Sequence, residues 1–482
     1  MRTTVVWIGS AAPHELAREC EQRGLLVRSK ATLPDEVGPD LRALLVNIDD
    51  RDALRALGSQ IRGLRDGGIL VGLVSRNRTE LVNDIQAQLG EGLSAGPPPV
   101  FVLADEGGMA YIAERCLRHE VGPSAGPVPT VLVQPELDLR DRQLIQRAFD
   151  GMTQVRLTPL HDGFSTAKVW RAETVDVRGR TRVPMVVKLD DLTRIRREIS
   201  NIRTHVAEFV PSQSYAQLVD ERCVEGARRG LLVGHFVAGA RSLRDLLRTT
   251  DRHNATTVIT SLFDGPLGGW RNNAHEDLPL ALGRAYRTWR VLQEGDALDG
   301  ACALSRARRY GKVRSAAELV AVLEHLPPVR VRVCMAHGDL QARNIFVRDS
   351  GIAPVMIDFY LTEYESALSR DPATLDVTLA FDSEGRLDGA DIAALYRPGH
   401  LLDLGHHHDA FRAAIEQVRA LCVRDRVTEW EYAVSCACYL LRLARLGVEY
   451  ETISLQLVAV AYALASELIG WLETAPIPEV LM

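Results

Sequence analysis

Over the first 125 residues, short apolar runs alternate with segments whose apolar residues recur every three to four positions. Residues 3–8, 25–29, 43–48, 69–74 and 100–103 have the aliphatic and β-branched density of buried strands. The spacing between them predicts helices near 12–23, 51–65, 78–89 and 108–119. Strands that alternate with helices pair in parallel, and a parallel sheet must be covered on both faces, so residues 1–125 predict a doubly wound α/β domain. The Gly- and Pro-rich stretch at 122–129 and the helical spacing of 138–149 make 126–150 a linker with a helix. The period then changes to that of antiparallel strands, at 154–160, 168–177 and 182–189. From about residue 240 the text is helical. This predicts a β-rich small lobe over 151–238 followed by a helical large lobe over 239–482.

A chain of 482 residues with 46% hydrophobic and 25% charged positions is a multidomain globular protein, neither disordered nor fibrous. Its 57 Lys and Arg against 63 Asp and Glu leave a net charge of -6, which excludes holding nucleic acid by bulk positive charge, and no nucleic-acid partner is expected. The eight cysteines are scattered, as in a reduced cytoplasmic protein. The apolar run in MRTTVVWIGS is too short for a signal peptide. Residues 455–472 are the most apolar stretch but contain Gln456, Ser466 and Glu467, predicting a buried helix and no membrane partner.

The N-terminal pattern resembles the flavodoxin-like receiver domains of two-component signalling. Those domains carry carboxylates after the first strand, a phosphoacceptor Asp after the third and a Lys after the fifth. Here Gly9 and Ser10 follow the first strand, Ala104, Asp105 and Glu106 follow the fifth, and only Asp49 and Asp50 stand where an acceptor would. The resemblance therefore implies a degenerate receiver that binds a protein partner or self-associates, with a stabilising appendage as the alternative. No GxGxxG follows the first strand, so dinucleotide binding is not indicated.

The chemistry is concentrated in MAHGDLQARNIFVRDSGIAPVMIDFYLTE, residues 335–363. Asp339 and Asn344 lie five apart on a loop before one apolar strand, and Asp358 follows a second. Phosphoryl transfer from ATP needs one carboxylate to orient the nucleophile, and an amide with a second carboxylate to hold Mg²⁺. Asp339 is then the catalytic base, with Asn344 and Asp358 the metal ligands. The chain has four lysines against 53 arginines, so a lysine marks a place where a guanidinium does not serve. Lys188, in the third strand of the small lobe, is such a place. Glu198, ten residues on, is its expected partner, with Glu208 second. The nearby arginines Arg194, Arg196 and Arg197 read as a solvated helix face.

These residues resemble the protein-kinase-like superfamily, and more closely its aminoglycoside phosphotransferase and choline kinase branch. His337, Gly338, Asp339 and Asn344 match the HGDxxxxN loop of that branch, while Asp358, Phe359 and Tyr360 match its DFG position with Tyr in place of Gly. The resemblance covers about residues 150–480. It implies a bilobal α+β fold, ATP and Mg²⁺ as cofactors, and a Lys188 that contacts the α- and β-phosphates. HDGFSTAKV at 161–169 resembles the phosphate loop of small-molecule kinases, which gives Gly163, Ser165 and Thr166 to the phosphates. Arg343, four after Asp339, is similar to the Arg with which tyrosine kinases neutralise the transferred phosphate; a structural salt bridge is the alternative. Asp376 is expected to close a hydrogen-bond network under the catalytic loop. GHHHDAF at 405–411 reads as a helix start and not as a metal site. Three functions follow from the resemblance: a small-molecule kinase, a protein or nucleotide kinase of a bacterial-type signalling or defence module, and an ATP-binding pseudokinase scaffold. The phosphoacceptor, small molecule or protein, is left open.

Overall fold

The computed structural model describes residues 3–478 apart from 10, 33–40, 50–51, 54–56, 58–59, 62–63, 65–67, 76–99, 120–128, 135–136, 161–166, 227, 238, 277–278, 309, 311–312, 349–352, 384, 404, 406–407 and 452. The predicted helix at 78–89, most of the predicted linker, Asp50, and Gly163, Ser165 and Thr166 of the predicted phosphate loop all lie outside the described residues. The chain divides into two compact units. One comprises Met1–His161, Thr166–Ile199 and Gln217–Phe236, the other Asp162–Ser165, Ser200–Ala216 and Val237–Met482.

In the first unit, β1 (Thr4–Ile8), β2 (Leu26–Lys30), β3 (Leu41–Asn47), β4 (Leu70–Ser75) and β5 (Val100–Leu103) form a parallel sheet in the order β2-β1-β3-β4-β5. Successive side chains of a strand point to opposite faces, and β1 shows the result. Val5 and Trp7 join a cluster with Leu16 and Cys20 of helix His14–Gln22 and with Met109, Ile112 and Cys116 of helix Glu106–Arg118. Val6 and Ile8 join a second cluster, with Ala53, Leu57, Ile61 and Leu64. The three- to four-residue spacing of those last residues is one face of a helix, and it leaves neither sheet face bare.

The same unit holds a six-stranded sheet in the order β10-β11-β9-β8-β7-β6. It is built from β6 (Thr130–Leu132), β7 (Met152–Pro159), β8 (Lys168–Asp176), β9 (Met185–Asp191), β10 (Val224–Glu225) and β11 (Arg229–His235). β7, β8 and β9 are the three predicted antiparallel strands. β6 comes from the segment predicted as linker and pairs in parallel with β7. Helix Leu139–Ala148 connects the two and packs Leu144, Ile145 and Ala148 into the sheet's core.

The second unit is mostly helical with two small sheets. β12 (Ala240–Ser242), β15 (Ile345–Arg348) and β16 (Pro354–Met356) make one, in the order β12-β15-β16, and β13 (His275–Glu276), β14 (Arg332–Ala336) and β17 (Glu363–Ala367) the other. Ser242 caps the short helix Leu243–Leu247 by accepting from Asp245 N, and Asp409 caps Ala410–Arg424 at the predicted helix start. Helix Leu455–Leu472 is long and apolar enough to cross a membrane, but most of it is buried against helices Glu429–Tyr450 and Asp296–Ala307. None of the eight cysteines is joined in a disulfide, and seven are buried.

At the centre of this unit Asp376 is fully buried. It accepts from Arg419 Nε at 2.7 Å and from the hydroxyls of Tyr396 and Tyr432 at 2.6 and 2.7 Å. Burial works against the Arg419 charge, and the Asp376 carboxylate outweighs it and holds the guanidinium pKa above its ordinary value. Asp376 therefore ties helix Arg370–Phe381 to its neighbours, and its bonds go to Arg419, Tyr396 and Tyr432 and not to the loop of Asp339. Arg419→Met takes the guanidinium from buried Asp376 and leaves it the two tyrosine hydroxyls. It should destabilise the fold by about 3–5 kcal/mol in denaturant unfolding, whereas exposed Arg424→Met should change stability by no more than about 1 kcal/mol.

Candidate active site

The two units each carry part of the predicted chemistry. In the first, β9 presents Lys188, and helix Leu192–Asn201 presents Glu198 one and a half turns into its length. Lys188 Nζ donates to Glu198 Oε2 at 2.8 Å, with both side chains largely buried. An ammonium and a carboxylate this close keep each other charged, at the cost of most of their hydration. The first-choice partner is thus the one the structure brings to Lys188, and Glu208 is not in this pair. Arg194 and Arg196 meet Asp190 and Glu225 near the surface, as solvated helix-face arginines do.

In the second unit, β14 delivers the chain to His337, Gly338 and Asp339, a short turn (Ala342–Asn344) follows, and β15 and β16 lead on to Asp358. The loop is held from below by Asp371, in the first turn of helix Arg370–Phe381. Its two carboxylate oxygens accept the backbone N–H of His337 at 2.8 Å and of Gly338 at 2.9 Å. Asp371, five residues before Asp376, takes the place predicted for Asp376. His337 is fully buried and donates from Nε2 to Ile357 O at 3.0 Å, which leaves Nδ1 to accept from Asp339 N at 3.3 Å. Gly338 adopts φ +81°, and a Cβ there would stand 2.0 Å from Leu361 O and 2.8 Å from an Arg370 nitrogen. Only glycine fits.

Asp339 is oriented from two directions. Arg442 Nη1 donates to Oδ1 at 2.8 Å, and Gln341 Nε2 donates to Oδ2 at 3.2 Å. Burial disfavours the Arg442 charge, but Asp339, with Asp358 contributing, reverses that and raises its pKa. One turn earlier in helix Glu429–Tyr450, the Tyr439 hydroxyl donates to Gly338 O at 3.0 Å. Asn344 Nδ2 donates to Asp339 O at 2.9 Å, and Ile357 N donates to Asn344 O at 3.0 Å, so the loop and the strand leading to Asp358 are fastened together. Asp358 itself has φ +65°, a conformation disfavoured for a residue with a side chain. The segment after it is anchored by Asn201, whose Nδ2 donates to Phe359 O at 2.8 Å.

Asn344 and Asp358 fit Mg²⁺ by their donor chemistry. Among the described residues no cluster of three or more His, Cys, Asp or Glu side chains could cage a metal. Mg²⁺ needs no cage, because it takes one or two protein oxygens and completes its shell with phosphates and water. With its nitrogen engaged by Asp339 O, Asn344 offers its amide oxygen, and Asp358 offers a carboxylate. Arg343 makes a two-pronged ion pair with Asp382, its Nε and Nη2 both at 2.8 Å.

Sequence reasoning missed Arg442, Asp371 and Asn201. Asp371 and Arg442 lie 32 or more positions from Asp339, and Arg442 sits in a helix where an arginine reads as ordinary surface. The only local signal was the DP pair at 371–372 opening a helix.

Gly338→Ala should lower activity by more than about tenfold and thermal stability with it, because backbone must move to admit the methyl group. A second expectation concerns Glu431, on the helix that carries Tyr439 and Arg442. Burial lifts its carboxyl to about 7 from 4.5, opposed by bonds from Ser369 that favour the charged form. The folded chain then holds this proton more tightly than the unfolded chain, so the contribution is complete below pH 4.5 and is lost as pH rises to 7. Glu431→Gln should flatten that slope in unfolding free energy measured across the interval.

No family model and no curated protein matches the chain. Among solved structures it is similar to an aminoglycoside-3'-phosphotransferase of type VIII, at 16% identity and TM-score 0.29 over 55% of this chain and 93% of that one. It is also similar to the aminoglycoside phosphotransferase APH(3'')-Id of Streptomyces rimosus, at 15% identity and TM-score 0.32 over 59% of this chain and 98% of that one.

Proposed function

We propose that the chain is an ATP- and Mg²⁺-dependent phosphotransferase that moves the γ-phosphate to a hydroxyl acceptor. The observation that carries this reading is the Asp339 loop. Its catalytic carboxylate is oriented by Arg442 and Gln341, and its backbone is fixed by Asp371, Tyr439 and Asn344. In this reading Asp339 orients the acceptor hydroxyl and takes its proton as the oxygen bonds to phosphorus and the bond to the departing ADP oxygen breaks. Lys188, kept charged by Glu198, would bind the phosphates. Asn344 and Asp358 would hold Mg²⁺, whose charge offsets that of the phosphates. The predicted phosphate-loop roles of Gly163, Ser165 and Thr166 belong to the same proposal.

We read residues 1–125 as a doubly wound, flavodoxin-like domain on the strength of the all-parallel order β2-β1-β3-β4-β5. Asp49, at the end of its third strand, accepts from the Ser75 hydroxyl at 2.7 Å. A receiver-like module of this kind, lacking the expected lysine, would act through protein contacts or self-association in the cytoplasm.

The test is transfer from γ-labelled ATP with Mg²⁺, using a cell extract as acceptor pool. Label should appear in a metabolite or protein, and both Asp339→Asn and Lys188→Ala should lower it by at least about 100-fold. ATP binding without transfer to any acceptor would replace this reading with that of a nucleotide-binding scaffold.

A further inference from the structure

Arg442 is placed unlike a structural arginine. Its side chain is 14% exposed, beside an Asp339 side chain that is 18% exposed, and it leans on the Tyr439 ring with 5.9 Å from guanidinium carbon to ring centroid. A guanidinium has five N–H donors in a planar fork. Among the described residues only Nη1 has an acceptor, Asp339 Oδ1. A charged fork with spare donors next to a catalytic carboxylate is a binding group for a second anion.

The surrounding charges point the same way. Asp382, which pairs with Arg343 of the loop, is shared with Arg244, whose Nε lies 3.2 Å from Oδ1. Two further guanidiniums thus stand at the loop, beside Asp382. A polycationic acceptor needs free carboxylates around the reacting hydroxyl, and both oxygens of Asp339 are already engaged, by Arg442 and Gln341.

We propose that Arg442 makes this site select an acceptor that carries a negative charge beside its reacting hydroxyl. The inference rests on the phosphotransferase reading, and it assigns Arg442 two tasks: positioning Asp339 and attracting the anionic group of the acceptor. In the reaction the acceptor O–H gives its proton to Asp339, its oxygen bonds to the γ-phosphorus of ATP, and the bond to the β,γ-bridging oxygen breaks to release ADP. Arg442 transfers nothing. Amine-rich acceptors would meet a guanidinium where they need a carboxylate.

Three probes isolate the charge, because glycerate, glycerol and 3-amino-1,2-propanediol share one vicinal diol frame and differ in sign. Binding of each to the full chain is measured with Mg²⁺ and a non-hydrolysable ATP analogue present. Glycerate should bind at least about tenfold more tightly than the amine, with glycerol between them. Arg442→Gln should bring the three affinities together, whereas Arg442→Lys should keep the order with a smaller spread. Asp339→Asn should widen the preference for glycerate, and that opposite shift keeps the test sharp should the Gln variant fold poorly. Equal or reversed affinities in the wild-type chain, no binding of glycerate, or a preference unmoved in both the Gln and Asn variants would overturn the proposal. Binding does not require turnover, so a failure here is distinct from a failure of the transfer assay, which would sink the phosphotransferase reading itself.

Discussion

The geometry of the Asp339 loop rests on one carboxylate. Asp371 accepts two consecutive backbone amides, those of His337 and Gly338, and so fixes the two peptide planes that lead into Gly338. Charge-assisted bonds of this kind are about twice as strong as neutral ones, and these are buried. With the amides directed downward to Asp371, the Gly338 carbonyl is turned to the Tyr439 hydroxyl, and the chain enters the left-handed region at Gly338. The Asp339 side chain then emerges where Arg442 meets it. Each of these contacts presupposes the one before.

A second consequence concerns the stretch from Asp358 to Asp371. It is short, and it is structured along its length. β17 pairs with β14, Asn201 holds the Phe359 carbonyl, and the fully buried Arg370 donates to Ser366 Oγ and Tyr439 Oη. Most of the stretch is buried, and only Tyr364 and Glu365 of β17 are fully at the surface.

How much of this was legible in the sequence depended on distance along the chain. Asp339, Asn344 and Asp358 could be read because they sit at fixed short spacings around two apolar strands. Lys188 and Glu198 could be paired because one strand end and one helix turn separate them. The three- to four-residue spacing of Ala53, Leu57, Ile61 and Leu64 announced its helix in the same way. Arg442 is 103 residues from Asp339, and nothing local distinguishes it from the other arginines of an arginine-rich chain. Asp371 and Asp376 lie on one helix, and composition alone could not say which faces the loop, because that depends on how the helix is rotated by its packing. β6 was read as linker because three residues are too few to show a period, and only its pairing with β7 makes it a strand.

Helix Glu429–Tyr450 acts on the Asp339 loop as a ruler. Tyr439 and Arg442 are three residues apart, which puts them on one face and about 4.5 Å apart along the axis, and from there they meet two consecutive residues of the loop, Gly338 and Asp339. The register between helix and loop is thus written into residue count. A single residue inserted between Glu431 and Tyr439 would turn that face by about 100° relative to the turns before it, enough to aim Arg442 away from the loop. Side chains on this helix can be exchanged one at a time, but its length upstream of Tyr439 cannot change, so lineages of this chain should vary freely in their loops and carry no insertions or deletions there.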